Sequence, residues 1–87
     1  RIELYPHFKR AYRKRALPHE KLRKQVETRI SFFKQNPSYP TLRDHALKGD
    51  KEGVRSFSVS GDMRILYKRD TNTAYFLDIG THRQVYE

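Results

Sequence analysis

Val54-Arg-Ser-Phe-Ser-Val-Ser-Gly-Asp-Met-Arg-Ile-Leu-Tyr67, continued by Asp78-Ile-Gly-Thr-His-Arg-Gln-Val-Tyr86, decides how this chain is read. Apolar and polar residues alternate in three short runs, at 54–60, 62–68 and 73–79, and alternation with a period of two marks a half-buried strand. Phe57 and Val59 share one face of the first run, and Ser56, Ser58 and Ser60 share the other. In the second, Met63, Ile65 and Tyr67 oppose Asp62, Arg64, Leu66 and Lys68; in the third, Tyr75, Leu77 and Ile79 align. Ser60-Gly61 and Arg69-Asp70-Thr71-Asn72 separate the runs with turn residues. The pattern predicts a three-stranded antiparallel meander.

Upstream the period changes. Ile2 and Leu4 fit one face of a short first strand. Phe8, Ala11 and Tyr12 then recur at helical spacing, and Pro6 is tolerable in a first turn. After a break at Ala16-Leu17-Pro18, a second helix is expected to open at Pro18. Leu22, Val26, Ile30 and Phe33 form its single apolar stripe, and Asn36-Pro37 ends it, because the residue before proline resists the helical conformation. Residues 37–53 read as a connector rich in helix breakers, with Leu42, Ala46 and Leu47 on one helical turn that pins it to the core. The expected architecture is α+β. Two N-terminal helices pack on one side of a small, twisted, mostly antiparallel four-stranded sheet in the order β-α-α-β-β-β, as a single domain over 1–87.

Eighty-seven residues with 36% hydrophobic side chains allow only a thin core, so the six Tyr and five Phe must supply much of the burial. The chain has no cysteine, which removes disulfides, thiolate metal sites and thiol nucleophiles and fits a cytoplasmic protein. No apolar run is long enough to span a membrane, and no stretch of these residues reads as the hydrophobic region of a signal peptide. Because the first residue is Arg1, one or more residues are expected to precede it. Charge is the most informative bulk property. Nineteen Lys and Arg stand against ten acids, for a net charge of +9. Residues 1–35 hold 11 basic residues and 3 acids, whereas residues 36–87 hold 8 and 7. A strongly basic half beside a nearly neutral one is the electrostatic footprint of a phosphate-backbone binder. Lys9, Arg10, Arg13, Lys14 and Arg15 on the outward positions of the first helix are the expected RNA contacts, together with Lys48 and Arg55.

The polar groups of the last third could do chemistry. Asp62 and Arg64 are two apart, so their side chains leave the same strand face. His82 follows Gly80-Thr81 where a strand ends, Tyr86 lies four residues on, and His45 lies in the connector. If they converge, they combine imidazoles that change charge near neutral pH, a carboxylate, a fixed cation and a phenol. That is the set needed to cut RNA without a metal: a base for the 2′-OH proton, an acid for the leaving 5′ oxygen, and a cation for the crowded phosphate. Each residue also has a bland role: Asp62 in local turn bonds, Arg64 in a structural ion pair, His45 on the surface, Tyr86 in the core. His7 and His19 read as surface residues. A metal site from His45, Asp62 and His82 matches no ligand spacing, and the serines lack the Gly-x-Ser-x-Gly elbow of a serine hydrolase. No metal or small-molecule cofactor is expected.

Leu42-Arg-Asp-His-Ala-Leu-Lys-Gly49, Arg55-Ser-Phe-Ser-Val59, Asp62-Met-Arg-Ile-Leu-Tyr67 and Ile79-Gly-Thr-His-Arg-Gln-Val-Tyr86 together resemble the RelE/ParE superfamily of toxins, above all the YafQ-like mRNA interferases. The resemblance covers essentially the whole chain. It implies the toxin of a bacterial type II toxin–antitoxin pair, which cuts mRNA in the ribosomal A site and is silenced by a cognate antitoxin. By position it makes His45, Asp62 and His82 active-site residues, Arg64 the arginine on the scissile phosphate, and Tyr86 the aromatic that closes the site. His82 is then the expected general acid, with Asp62 or His45 as base, and the basic helices would contact ribosomal RNA. Two positions depart from the pattern: Ser58 stands where YafQ-like enzymes carry another histidine, and Met63 replaces a tryptophan. The resemblance implies a ribosome-dependent endoribonuclease that leaves a 2′,3′-cyclic phosphate and a 5′-OH. A ParE-like DNA gyrase inhibitor and a non-catalytic, degenerate RNA-binding member of the fold are the alternatives.

Overall fold

Four aromatic rings hold the molecule together. The computed structural model describes residues 1–86, with Asp50 through its backbone alone. In it Phe33 stacks on Phe57 with ring centroids 4.9 Å apart, meets Tyr67 edge-on at 4.9 Å and Phe76 at 5.7 Å. Phe33 comes from helix α2 (Glu20–Gln35); its partners come from strands β3 (Arg55–Ser60), β4 (Met63–Asp70) and β5 (Thr73–Thr81). Such tilted and offset contacts between aromatic rings add to the large apolar area each one buries.

Helix α1 (Pro6–Arg15) begins with Pro6, whose missing N–H costs nothing in a first turn. It buries Phe8 and Ala11 and leaves Tyr12 half-buried. Ala16-Leu17-Pro18 form a turn, and α2 starts two residues later than Pro18, with His19 at its N-cap. The stripe along α2 buries Val26 and Phe33 and half-buries Leu22 and Ile30. Asn36 ends it in extended conformation before Pro37, and its side-chain oxygen accepts the Ser38 N–H at 3.0 Å.

Among the described residues the sheet has five strands rather than four, in the order β1-β5-β4-β3-β2. β1 (Ile2–Leu4) runs parallel to β5, and the other pairings are antiparallel. The additional strand is β2, His45–Ala46, which pairs with Ser56 and Arg55. It lies within the segment expected to be a connector. Leu42, Ala46 and Leu47 form no helical turn: Leu42 is buried in a 3₁₀ turn at Pro40–Leu42, while Ala46 is an exposed strand residue. Two residues are too few to display an alternating pattern, so β2 had no signature of its own.

Both meander hairpins close through two-residue turns. Gly61, at a φ of 51° that glycine adopts without strain, and Asp62 link Ser60 to Met63. Thr71-Asn72 link Asp70 to Thr73, so Arg69 and Asp70 belong to β4 rather than to the turn. The β4–β5 register slips between the Leu66–Asp78 and Tyr67–Phe76 pairs, leaving Leu77 as an extra, bulged residue. A bulge shifts the alternation by one. Ala74, Phe76 and Ile79 therefore share the helix-side core, and the expected alignment of Tyr75, Leu77 and Ile79 does not occur.

α1 and α2 cover one face of the sheet. The other carries a smaller apolar patch of Val54, Leu66 and Val85, flanked by Leu47, Leu77 and Tyr86. Val85 and Tyr86 belong to a third helix, α3 (His82–Tyr86). Thr81 and Gln84 start it with a reciprocal cap: the Gln84 side-chain oxygen accepts the Thr81 N–H at 2.8 Å, and the Thr81 hydroxyl accepts the Gln84 N–H at 3.3 Å. Among the described residues, no helix is long and apolar enough to cross a membrane.

Candidate active site

The end of the β3–β4 hairpin meets the start of α3. Pairing of Met63 with Thr81 and of Arg64 with Gly80 places Asp62, in the hairpin turn rather than on a strand, beside the first residue of α3. The Asp62 carboxylate accepts the His82 backbone N–H at 3.2 Å through one oxygen and the Arg64 guanidinium at 3.1 Å through the other. One helical turn beyond His82, the Tyr86 ring stands edge-on to the imidazole with centroids 4.4 Å apart. The Arg64 guanidinium carbon lies 5.8 Å from the centroid of the same Tyr86 ring. Asp62, Arg64, His82 and Tyr86 thus form one contiguous cluster on the sheet face opposite α1 and α2. Its imidazole and carboxylate are exposed, while Arg64 and Tyr86 are half-buried.

His45 lies on the same face but apart from this cluster. It pairs with Ser56, which pairs with Leu66, two residues along β4 from Arg64. Two strand spacings put it about 10 Å from β4. Its Nδ1 lies 2.9 Å from the carbonyl oxygen of Arg43, so in a neutral ring Nδ1 carries the proton and Nε2 keeps the free lone pair. Ser58 fills the position between them, directly across from Arg64. Met63, by contrast, packs into the helix-side core and does not face the cluster.

Of the basic residues nominated from sequence, Lys9, Arg10, Arg13 and Lys14 are exposed along α1, and Lys48 is exposed in the connector. Arg15 turns inward. Its guanidinium donates to Asp78 at 3.2 Å and to the Ile79 carbonyl at 2.8 Å, and His7 reaches the same Asp78 oxygen at 3.2 Å. Arg55 is bound to Asp44 through Nε and Nη2, both at 2.7 Å, and Tyr67 donates its hydroxyl to the other Asp44 oxygen. The Arg55–Asp44 hydrogen bond raises the Arg55 pKa. Burial, reinforced by Asp44, pushes the Tyr67 phenol up to about 12. Sequence reading missed the pairing of Asp44 with Arg55 and of Asp78 with Arg15, and the Thr81–Gln84 cap. Only the cap had a local signal, the Thr-x-x-Gln spacing; the two acids find partners more than ten residues away.

The fold has counterparts among bacterial toxins. YafQ from E. coli strain BL21(DE3) superposes with a TM-score of 0.85 at 21% identity, covering 100% of this chain and 98% of that one. The YoeB/ParE toxin from Agrobacterium tumefaciens gives 0.79 at 15% identity, over 94% and 98% of the two chains. YafQ in the E. coli DinJ–YafQ toxin–antitoxin complex gives 0.74 at 21%, over 100% and 97%. No curated protein matches the sequence significantly. The fold is therefore that of the small α+β toxins. The family model described as bacterial toxin of type II toxin–antitoxin system, YafQ, matches residues 1–87, and the chain belongs to that family.

Proposed function

We propose that this toxin is a metal-independent, ribosome-dependent endoribonuclease that cuts mRNA in the A site of cytoplasmic ribosomes and so inhibits translation. The observation that carries this reading is the contact set of Asp62, Arg64, His82 and Tyr86 where the hairpin meets α3. In the reaction a base removes the 2′-OH proton, the O2′–P bond forms, and the P–O5′ bond breaks as an acid protonates the departing oxygen. The products are a 2′,3′-cyclic phosphate and a 5′-OH. His82 serves as the acid. His45 is favoured as base because its bond to the Arg43 carbonyl leaves Nε2 as the acceptor, while the Asp62 carboxylate is already occupied by Arg64 and the His82 N–H. Asp62 then acts by orienting Arg64 and the start of α3. Arg64 offsets the charge that builds on the phosphate oxygens, and Tyr86 offers a ring on which a base can stack.

The exposed Lys9, Arg10, Arg13 and Lys14, with Lys48 in the connector, supply the ribosomal RNA contacts. A cognate antitoxin is the protein partner, by analogy with the DinJ–YafQ pair and the YoeB–YefM pair of Staphylococcus aureus. Primer extension on an mRNA programmed in 70S ribosomes tests the reading. The parent protein is expected to create new 3′ ends within the A-site codon, and Asp62→Asn and His82→Gln are expected to remove them. Cleavage that survives both changes would discard these residues. Ribosome binding without cleavage by the parent would leave a non-catalytic member of the family.

A further inference from the structure

A second cavity, of about 390 Å³, opens where the 37–44 connector passes the far end of the sheet, and its walls include Tyr39, Arg43, Asp44, Arg55, Tyr67 and Arg69. Three arginines and one aspartate thus line it. The Asp44 carboxylate is spent: Arg55 takes one oxygen twice and the Tyr67 hydroxyl takes the other. Arg55 cancels its charge. Among the described residues Arg43 and Arg69 have no acidic partner, and Arg69 is held with its guanidinium carbon 5.9 Å from the Phe33 centroid. The cavity therefore carries a surplus of about two positive charges, with the outer edge of Arg55 still accessible at 41% side-chain exposure. Planar guanidinium groups with free N–H donors fit phosphate oxygens in pairs. Tyr39 adds an aromatic face at the rim: it stacks on Phe32 on one side, centroids 4.9 Å apart, and is 39% exposed. Cations beside an available ring are what a single-stranded nucleic acid requires.

Two further features tie this cavity to the cluster at His82. Arg43 also borders an adjoining groove that ends at Ser58 and Gly61, one residue before Asp62. Arg43 itself sits at φ 50° and ψ 41°, a left-handed backbone that costs a non-glycine residue on the order of 1 kcal/mol or more and is retained where surrounding structure enforces it. Its carbonyl fixes the His45 ring. One residue thus orients the candidate base by its backbone and lines both cavities.

We propose that the Tyr39–Arg43–Arg55–Arg69 cavity is a second RNA subsite, which grips a backbone phosphate of the strand leaving the catalytic face past His45. The proposal rests on the endoribonuclease reading for its ligand, but its test does not depend on cleavage. Binding of a short, 5′-phosphorylated, fluorescent single-stranded RNA is followed by anisotropy in the His82→Gln background, with Arg43→Gln, Arg69→Gln and Tyr39→Leu added singly. The arginine changes are at exposed side chains, and circular dichroism checks that each variant is folded. Each arginine change is expected to weaken binding roughly tenfold and to flatten the salt dependence by about 0.7 for each phosphate no longer neutralised. Tyr39→Leu is expected to weaken binding with an unchanged salt slope. Affinity and slope unchanged in both arginine variants would overturn the proposal, even with A-site cleavage by the parent intact. Loss of cleavage activity with the arginine effects preserved would overturn the catalytic reading and leave the subsite standing. Full displacement by an equal concentration of nucleoside monophosphate would assign the cavity to a free nucleotide instead. RNA binding indifferent to both arginines, with oligoglutamate binding lost, would assign it to an acidic protein.

Discussion

The backbone N–H of His82 donates to the carboxylate of Asp62 across 3.2 Å, although the two residues lie twenty apart in sequence. The bond joins the turn of one hairpin to the first residue of a helix, and the same carboxylate holds Arg64 at 3.1 Å. The imidazole position and the guanidinium position are therefore set by one acid. Asp62→Asn keeps an acceptor for the His82 N–H but loses the charge that holds Arg64. Asp62 is 58% exposed, so the ion pair contributes little to stability, within ~1 kcal/mol. Single-turnover cleavage should fall about 100-fold as Arg64 loses its positioning, while the urea midpoint barely moves. A large shift in midpoint with cleavage retained would make Asp62 structural.

Ser58 lies opposite Arg64 on the neighbouring strand, half-buried, on the face shared with His45. Ser58→His would put a third imidazole between His45 and Arg64. If proton transfer limits the reaction, A-site cleavage should rise by roughly tenfold or more, and its pH profile should gain a limb. A rate and profile equal to those of the parent would indicate that this position has no part in the chemistry. Met63→Trp, by contrast, acts at a partly buried position against the helix-side core, away from the cluster, and should leave the rate unchanged while shifting stability by no more than about 1–3 kcal/mol.

Gly80 is held to its size from two sides. A Cβ there would meet Arg15 Nη1 at 2.8 Å, the Gln84 side-chain oxygen at 2.8 Å and Gln84 Cβ at 3.0 Å. Both side-chain ends are anchored, Arg15 to Asp78 and the Ile79 carbonyl, and Gln84 to the Thr81 N–H. Gly80→Ala must break one of these anchors or push α3 away. A loss of about 1–3 kcal/mol in urea unfolding is expected, together with lower cleavage, since α3 carries His82 and Tyr86. Unchanged stability would mean that α3 is free to shift.

The strands of the meander were legible because most of their side chains follow the pleat. Phe57, Val59, Ile65 and Tyr67 all lie on the helix-side core. Legibility ended where geometry depends on a partner. The bulge at Leu77 moves Phe76, not Tyr75, into the core, and only the β4 register defines it. β2 is a strand solely because Ser56 and Arg55 lie beside it. The cluster was half visible: Asp62 and Arg64 could be placed together by their spacing, but the approach of His82 required the hairpin register. Arg15 shows the opposite failure. Its charge read as solvent-facing, yet it is committed to an acid that sequence separation hid.

Tyr67 makes the fold sensitive to alkaline pH. It is fully buried among Phe33, Phe57 and Phe76, its hydroxyl bonded to Asp44, and its phenol is pushed up to about 12, first by burial and then by Asp44. In the unfolded chain the phenol loses its proton near its ordinary value of about 10. Between those two values the folded state binds more protons than the unfolded state, so stability falls as pH rises. Below pH ~10 the contribution is complete, and by about pH 12 at most ~2–3 kcal/mol has been lost. Urea midpoints measured from pH 9 to 11.5 should therefore decline more steeply for the parent than for Tyr67→Phe. The variant cannot ionise there, although it begins less stable because Asp44 loses a donor. Parallel declines would show that lysine titration, not this phenol, governs the alkaline limb.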